Sequence, residues 1–444
     1  MNLGRWHFLR RWWCMCLLVF GLVACACPAR PAAAPTPVPG TLYVDAGQRL
    51  GPISPLVYGT NYGPWSSVPY ELLPQAENAG IKLLRFPGGN WGDRNSLRSY
   101  QIDQFMTLAE LMGAEPYVCV RLLDGTPEAA AELVRYANVE KGYNVRYWGI
   151  GNEPNLFPDY SIDQLNADWR AFAEAMKAVD PDIVLVGPDT NQFTGTPGVD
   201  PKDDDGRDWL REFLLANGDM VDIVAVHRYP FPSGKVASPA TIEDLRANSQ
   251  EWDTIIPNLR ALVKETTGED LPIAITEVNS HWSNISGGEA TPDSFYNAIW
   301  WGDVLGRLIC QRVDMVAHFS LQSPPTVGGF GLLGSSAVRP TYYVYQIYQR
   351  FGSELLYATS DDPDVSIYAA QRDDGALTLV VVNLGPEEKA KPLFVYGFEI
   401  EGAAEVWLFD AQHEAEMIGT QEIASGGEIT VPAQSISLYV FPQQ

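Results

Sequence analysis

Eight apolar runs of strand length punctuate residues 56–321, and the stretches between them carry helical spacing. The runs are Leu56–Asn61, Ile81–Phe86, Glu115–Leu122, Val145–Asn152, Ile183–Pro188, Ile223–Tyr229, Ile273–Glu277 and Met315–Leu321. Strands that alternate with crossover helices build a parallel sheet, and eight such units close more readily into a barrel than they open into a doubly wound sheet. The helical period is plain where it can be counted. Ser161–Ala178 puts Ile162, Leu165, Trp169, Phe172 and Met176 on one face, with Ser161 as N-cap. Asn297–Val313 and Tyr342–Phe351 read the same way. No Gly-x-Gly-x-x-Gly follows the first run, which weakens a dinucleotide-binding reading.

The texture changes after Phe351. Ser366–Gln371, Leu377–Asn383, Pro392–Val395, Ala404–Phe409, Glu428–Val431 and Ser435–Phe441 are short alternating runs separated by Asp-Asp-Gly, Gly-Pro and Gly-Gly turns. They predict a small all-β sandwich over residues 353–444, with a structural rather than chemical role, behind a (β/α)8 barrel over residues 41–352. Thr41–Asp45 is a lone strand ahead of that barrel.

The N-terminal segment predicts export instead of fold. Arg5, Arg10 and Arg11 precede the apolar run Trp12–Ala24, the layout of a secretory signal, and the run is too short for a membrane span. Residues 1–24 are therefore expected to be removed, and the Pro- and Ala-rich residues 25–40 to act as a spacer. Of six cysteines only Cys119 and Cys310 belong to the globular part, where buried free thiols are expected. The formal charge of −25, from 30 basic and 55 acidic residues, argues against nucleic acid or anionic lipid bound through a basic surface.

In a parallel barrel the chemistry lies at the C-terminal ends of the strands. Those ends carry Asn61; Arg85 with Pro87-Gly88-Gly89-Asn90-Trp91; Asn152 and Glu153; His227 and Tyr229; and Glu277, Asn279 and Trp282. Two carboxylates at two strand ends are the minimum equipment for cleaving a glycosidic bond. Amides and a guanidinium suit sugar hydroxyls, and aromatic rings suit the apolar faces of sugar rings. Each has a plainer reading: a polar turn after a strand for Asn152 and Glu153, a structural ion-pair partner for Arg85, a satisfied core imidazole for His227, and loop anchors for Trp91 and Trp282. No metal or cofactor is called for. His227, His281 and His318 lie on different units, and Asp203-Asp204-Asp205-Gly206 reads as a solvated turn.

With Asn152-Glu153-Pro154 ending one strand and Thr276-Glu277 ending a later one, the chain resembles the (β/α)8 glycoside hydrolases of clan A. The opening strands and the Phe86–Asn90 loop look like its arabinofuranosidase-like and endoglucanase-like families, without deciding between them. The resemblance implies a retaining O-glycosidase acting on a carbohydrate, with Glu153 as acid/base and Glu277 as nucleophile. It further implies Arg85 beneath the nucleophile, Asn152 on the sugar 2-hydroxyl, Tyr229 bonded to the nucleophile, and Thr41–Asp45 joined to the sandwich. Leu22-Val23-Ala24-Cys25 resembles the bacterial lipobox, which implies lipidation at Cys25 and a membrane contact through that anchor alone. One stretch departs from the pattern: where the clan carries tryptophan near the last strand, this chain reads Ala317–Gln322, so Phe319, His318 or the loop Gly328–Gly331 is expected to take that space. The alternative is a surface lipoprotein that binds carbohydrate without turnover. A serine hydrolase is disfavoured, since no Gly-x-Ser-x-Gly elbow occurs. Sugar, linkage, endo or exo action and oligomeric state stay open.

Overall fold

The computed structural model describes residues 36–232, 239–322, 328–400 and 402–443. The expected signal segment, Cys25 and most of the spacer lie outside these residues. Strand β1 (Leu42–Pro52) comes first. The strands β2 (Gly59–Asn61), β3 (Leu83–Phe86), β4 (Glu115–Val120), β5 (Tyr147–Ile150), β6 (Val184–Thr190), β7 (Ile223–Arg228), β8 (Ile273–Val278) and β9 (Met315–His318) then close into a parallel barrel, β2 pairing with β9. Inside it Leu83, Tyr117, Cys119, Val186, Ala225, Ala274, Met315 and Ala317 form a packed apolar layer. Alternate residues such as Leu84, Val118, Trp148, Leu185, Val224 and Ile275 face outward into the helices, as strand periodicity requires.

The strands are shorter than the apolar runs. Leu56 and Val57 leave the first run for a 3-10 turn, because Pro55 starts it and the Ser54 hydroxyl accepts the Leu56 N–H at 3.3 Å. The helix after β5 runs Ile162–Val179 and has a full capping box, Ser161 with Gln164. The helix Phe295–Cys310, capped by Ser294, starts two residues earlier than its apolar spacing suggested. Among the described residues no helix is long and apolar enough to cross a membrane.

After the barrel come β10 (Glu354–Ser360), β11 (Val365–Gln371), β12 (Leu377–Asn383), β13 (Lys389–Tyr396), β14 (Ala403–Phe409), β15 (Glu414–Glu422), β16 (Glu428–Val431) and β17 (Ser435–Phe441). With β1 they form nine strands in the order β15-β14-β17-β12-β11-β10-β1-β13-β16, sandwich-like around a core of Leu42, Val44, Ile367, Leu379, Val381, Leu393, Ile429 and Tyr439. β1 lies antiparallel to β10 and parallel to β13. β10 and β15 are elements that the sequence reading lacked.

The opposite face, with Tyr368, Val380, Val382, Ile436 and Leu438, packs on the barrel helices. The helix Phe295–Cys310 makes the close contact, through two glycines one turn apart. A Cβ on Gly302 would stand 2.3 Å from Ile436, and one on Gly306 would stand 2.2 Å from the Tyr368 ring. Beside them Tyr368 donates to Asp303 Oδ1 at 2.6 Å, Arg307 Nε donates to Asp303 Oδ2 at 2.8 Å, and Arg307 Nη2 reaches Ser366 Oγ at 3.1 Å. Gly306→Ala sets a helix-propensity gain of about 1 kcal/mol against overpacking of about 1–3 kcal/mol. The buried tyrosine ring has nowhere to go, so the variant is expected to lose about 1–2 kcal/mol in urea unfolding. A variant as stable as the parent would show that the ring yields and that this contact is loose.

Candidate active site

The two glutamates reach one space because strand regularity fails at both. After β5 the chain turns through Gly151 at φ +79° and Glu153 at φ +50°, and the Glu153 N–H bonds the Asp189 carbonyl at 3.1 Å. In β8 the register with β7 skips Thr276, so Val226 faces Ile275 while His227 faces Glu277. That bulge lets Thr276 and Glu277, neighbours in sequence, both serve the barrel mouth. As a result one oxygen of Glu153, one oxygen of Glu277 and a ring nitrogen of His227 lie within 4.8 Å of one another. Both glutamates are buried.

Glu277 is met by three donors. Arg85 Nη1 stands 2.8 Å and the Gly89 N–H 2.7 Å from Oε1, and the Tyr229 hydroxyl stands 2.7 Å from Oε2. Gly89 sits at φ +67°, and a Cβ there would press on the Phe319 ring at 3.2 Å, so glycine suits both the turn and the approach. Burial and the Glu277 charge push the Tyr229 phenol far up, which keeps it a donor. Glu153 Oε1 receives Asn191 Nδ2 at 2.6 Å and faces His227 Nδ1 at 3.0 Å.

Below them a charged floor closes the barrel. Arg85 spends its other contacts on Asn61 Oδ1 at 2.9 Å, Asn152 Oδ1 at 2.9 Å and Asp189 Oδ2 at 3.0 Å, and its guanidinium lies 5.6 Å from the Tyr117 ring centre. Asp189 also accepts from the Thr276 hydroxyl and from Tyr117 at 3.3 Å, and faces His227 Nε2 at 3.6 Å. Burial alone would push the Asp189 carboxyl up, but Arg85 and His227 bring it down to about 2. Burial alone would likewise lower His227, and the charges of Glu277, Asp189 and Glu153 reverse that and raise it to about 9. His227 is therefore an imidazolium at neutral pH.

Above the floor is a cleft of about 670 Å³. Of the residues proposed from sequence, Asn90, Trp91, Glu153, Tyr229, Glu277 and Trp282 line it, Trp282 being 48% exposed. Asn152 sits at its base, donating to Asn90 Oδ1 at 3.1 Å. Arg85 and His227 belong to the floor and have no exposure, so they face the cleft only through the side chains that they hold. Asn61 and Asn279 need correction as sugar contacts. Asn61 is sealed in the barrel, its amide bonding the Thr276 and Ala317 carbonyls at 2.9 and 3.0 Å. Asn279 is equally buried, donating to the Phe319 carbonyl at 2.6 Å and accepting the Ser280 N–H at 2.7 Å. Both residues hold backbone at the mouth.

The cleft also contains residues that the sequence did not single out: Trp65, Leu156, Asn191, Gln192 and Asn284. Trp65 stacks on Phe319 at 6.0 Å and 25°, and Phe330 meets Phe319 edge-on at 5.3 Å. Phe319 and Phe330 thus line the cleft wall, whereas His318 is buried behind it against Trp301 at 4.8 Å. Asn191 and the buried Asp189 had a signal, a polar triplet Asp189-Thr190-Asn191 after an apolar run, which was passed over because the run was ended at Pro188.

A profile described as Glycosyl hydrolases family 39 matches residues 133–384. A beta-xylosidase of Geobacillus stearothermophilus is 27% identical over 271 residues, 55% of this chain and 48% of that protein. The alpha-L-arabinofuranosidase C of Emericella nidulans is 25% identical over 194 residues, 33% of this chain and 38% of that protein. The chain spans about half or less of the length of these curated relatives. Among solved structures, CelM2, a bifunctional glucanase-xylanase from a metagenome library, superposes with a TM-score of 0.71 at 19% identity, covering 92% of this chain and 100% of that one. The alpha-L-arabinofuranosidase of Thermotoga maritima gives 0.71 at 18%, covering 90% and 99%. At these identities the structural likeness is one of fold.

Asp93, on the short helix Trp91–Arg94, is 3% exposed, and neither carboxyl oxygen has a hydrogen-bond partner of good geometry among the described residues. Burial pushes its carboxyl from 3.8 up to about 8, against the pull of the Leu122 backbone and Arg85. The folded chain therefore keeps a proton that the unfolded chain releases. This contribution is complete below 3.8 and is lost as pH rises to about 8. Asp93→Asn is expected to lose less stability than the parent between those limits, by at least about 1 kcal/mol. Parallel denaturation curves for the two proteins across that range would show that Asp93 ionises freely in the fold.

Proposed function

This chain belongs to glycosyl hydrolases family 39, and on that premise we propose that it cleaves O-glycosidic bonds of an oligosaccharide or polysaccharide by double displacement, with retention. The observation that carries the reading is the closeness of the catalytic pair, one oxygen of Glu153 and one of Glu277 falling within 4.8 Å. A retaining pair stands about 5–5.5 Å apart, whereas an inverting pair needs about 6.5–9.5 Å to admit water between carboxylate and sugar. Glu153 protonates the leaving oxygen while Glu277 attacks the anomeric carbon and forms a glycosyl-enzyme. Glu153, now a base, then takes a proton from water, which releases the sugar. Arg85, Gly89 and Tyr229 hold Glu277 with its carboxylate aimed into the cleft. Asn191 and His227 hold Glu153. The names of the curated relatives make xylosides and arabinofuranosides the first substrates to test, and the wall of Trp65, Phe319 and Phe330 offers apolar faces on which a sugar ring can lie.

The same reading includes export, supported by the basic and apolar layout of residues 1–24 and by Leu22-Val23-Ala24-Cys25. Lipid on Cys25 would tether the catalytic part at a membrane surface through the Pro-rich spacer.

Azide rescue and product NMR test the mechanism, and a Cys25 variant tests export. Glu277→Gly is expected to abolish turnover, and added azide to enter the vacated space and give a glycosyl azide of inverted configuration. Glu153→Ala, given a substrate with a good leaving group, should still glycosylate Glu277 and yield an azide product of retained configuration. Proton NMR of the fresh wild-type product decides the mechanism, since an inverted anomer removes Glu277 as nucleophile. For export, Cys25→Ser should leave an uncleaved or soluble precursor. A mature N-terminus elsewhere, without acyl groups by mass spectrometry, overturns the anchor.

A further inference from the structure

Glu153 is tied to a third carboxylate by two routes. Its backbone N–H bonds the Asp189 carbonyl at 3.1 Å. Its side chain faces His227 Nδ1 at 3.0 Å, and the other nitrogen of that ring faces Asp189 Oδ1 at 3.6 Å. Asp189 is itself over-determined. It holds φ +58° in β6, has no exposure, and is gripped by Arg85, Tyr117 and Thr276. A non-glycine residue kept in that conformation needs surrounding contacts to hold it there.

We propose that Asp189 is a positioning residue for the acid/base Glu153, acting through the His227 ring that lies between the two carboxylates. The proposal rests on the double-displacement reading and adds the group that keeps the acid supplied with its proton. The charges that face His227 are Glu153 after β5, Asp189 on β6 and Glu277 on β8, whose Oε2 is 3.8 Å away. Arg85 on β3 is paired with Glu277 and Asp189, the Tyr229 phenol beyond β7 stays protonated on Glu277, and Asp93 and Tyr117 complete the titratable surroundings. Three carboxylates thus stand against two cations, Arg85 and His227. Without the Asp189 charge, His227 loses one of the three carboxylates that hold its second proton beside Glu153.

Asp189→Asn keeps the shape of the side chain and removes the charge. With the full chain and an aryl pentoside that the wild type turns over, the alkaline limb of kcat/KM is expected to move down by about 1–3 pH units. At a pH on that limb, each unit is about a tenfold loss. KM is expected to stay within roughly twofold, since Asp189 does not line the cleft. With ring-labelled histidine, nitrogen NMR should show His227 losing its second proton at lower pH in the variant. An unmoved limb, or an unmoved His227 titration, overturns the proposal. Should the variant fail to fold, the wild-type spectrum decides: a His227 ring with only one N–H at pH 7 overturns it as well. An inverted product anomer beside a shifted limb would sink the double-displacement reading and leave the Asp189 link standing.

Discussion

Arg85 has no contact with solvent, and a guanidinium in that position is tolerable only when its charge is met by fixed partners. Glu277 and Asp189 meet the charge, and Asn61 and Asn152 take the remaining bonds of the two terminal nitrogens. The consequence is structural before it is chemical. Five of the eight barrel strands deliver a side chain, at or just beyond their C-terminal ends, to this one group or to its partners. Glu277 is therefore held in place by the same contact that makes the buried cation tolerable.

Much of this was legible because a parallel barrel writes its strands as apolar runs and its site as polar residues where they stop. Glu153 and Glu277 announced themselves in that way. Orientation was the part that linear reading could not reach. The register skip beside His227 and Thr276 changes which neighbour faces inward, and Asn61 and Asn279, at strand ends as expected, serve backbone carbonyls. Asp189 was hidden by Pro188, which reads as a terminator although β6 continues through it to Thr190.

The all-β part shows the complementary failure. β11, β12 and β17 were visible because they are apolar and buried, whereas β15 is an edge strand whose sequence Glu414–Glu422 is mostly exposed and carries no alternation to detect. β10 has a buried start and a half-buried remainder, which gives the same weak signal. Patterning reports alternation or continuous burial, and β15 offers neither.

The placement of β1 bears on how the molecule assembles. Leu42 to Asp45 lie beside Leu393 to Tyr396, with the whole barrel in the chain between them. A contact of such sequence separation forms late, because the entropy of closing so large a loop is met only after the intervening segments have compacted. Strand β1 is the first of the described strands in the chain, and both of its neighbours, β10 and β13, lie beyond the barrel. Until β10 and β13 exist, its apolar face of Leu42 and Val44 has no permanent cover. The sheet is therefore completed only when both ends of the described chain are present.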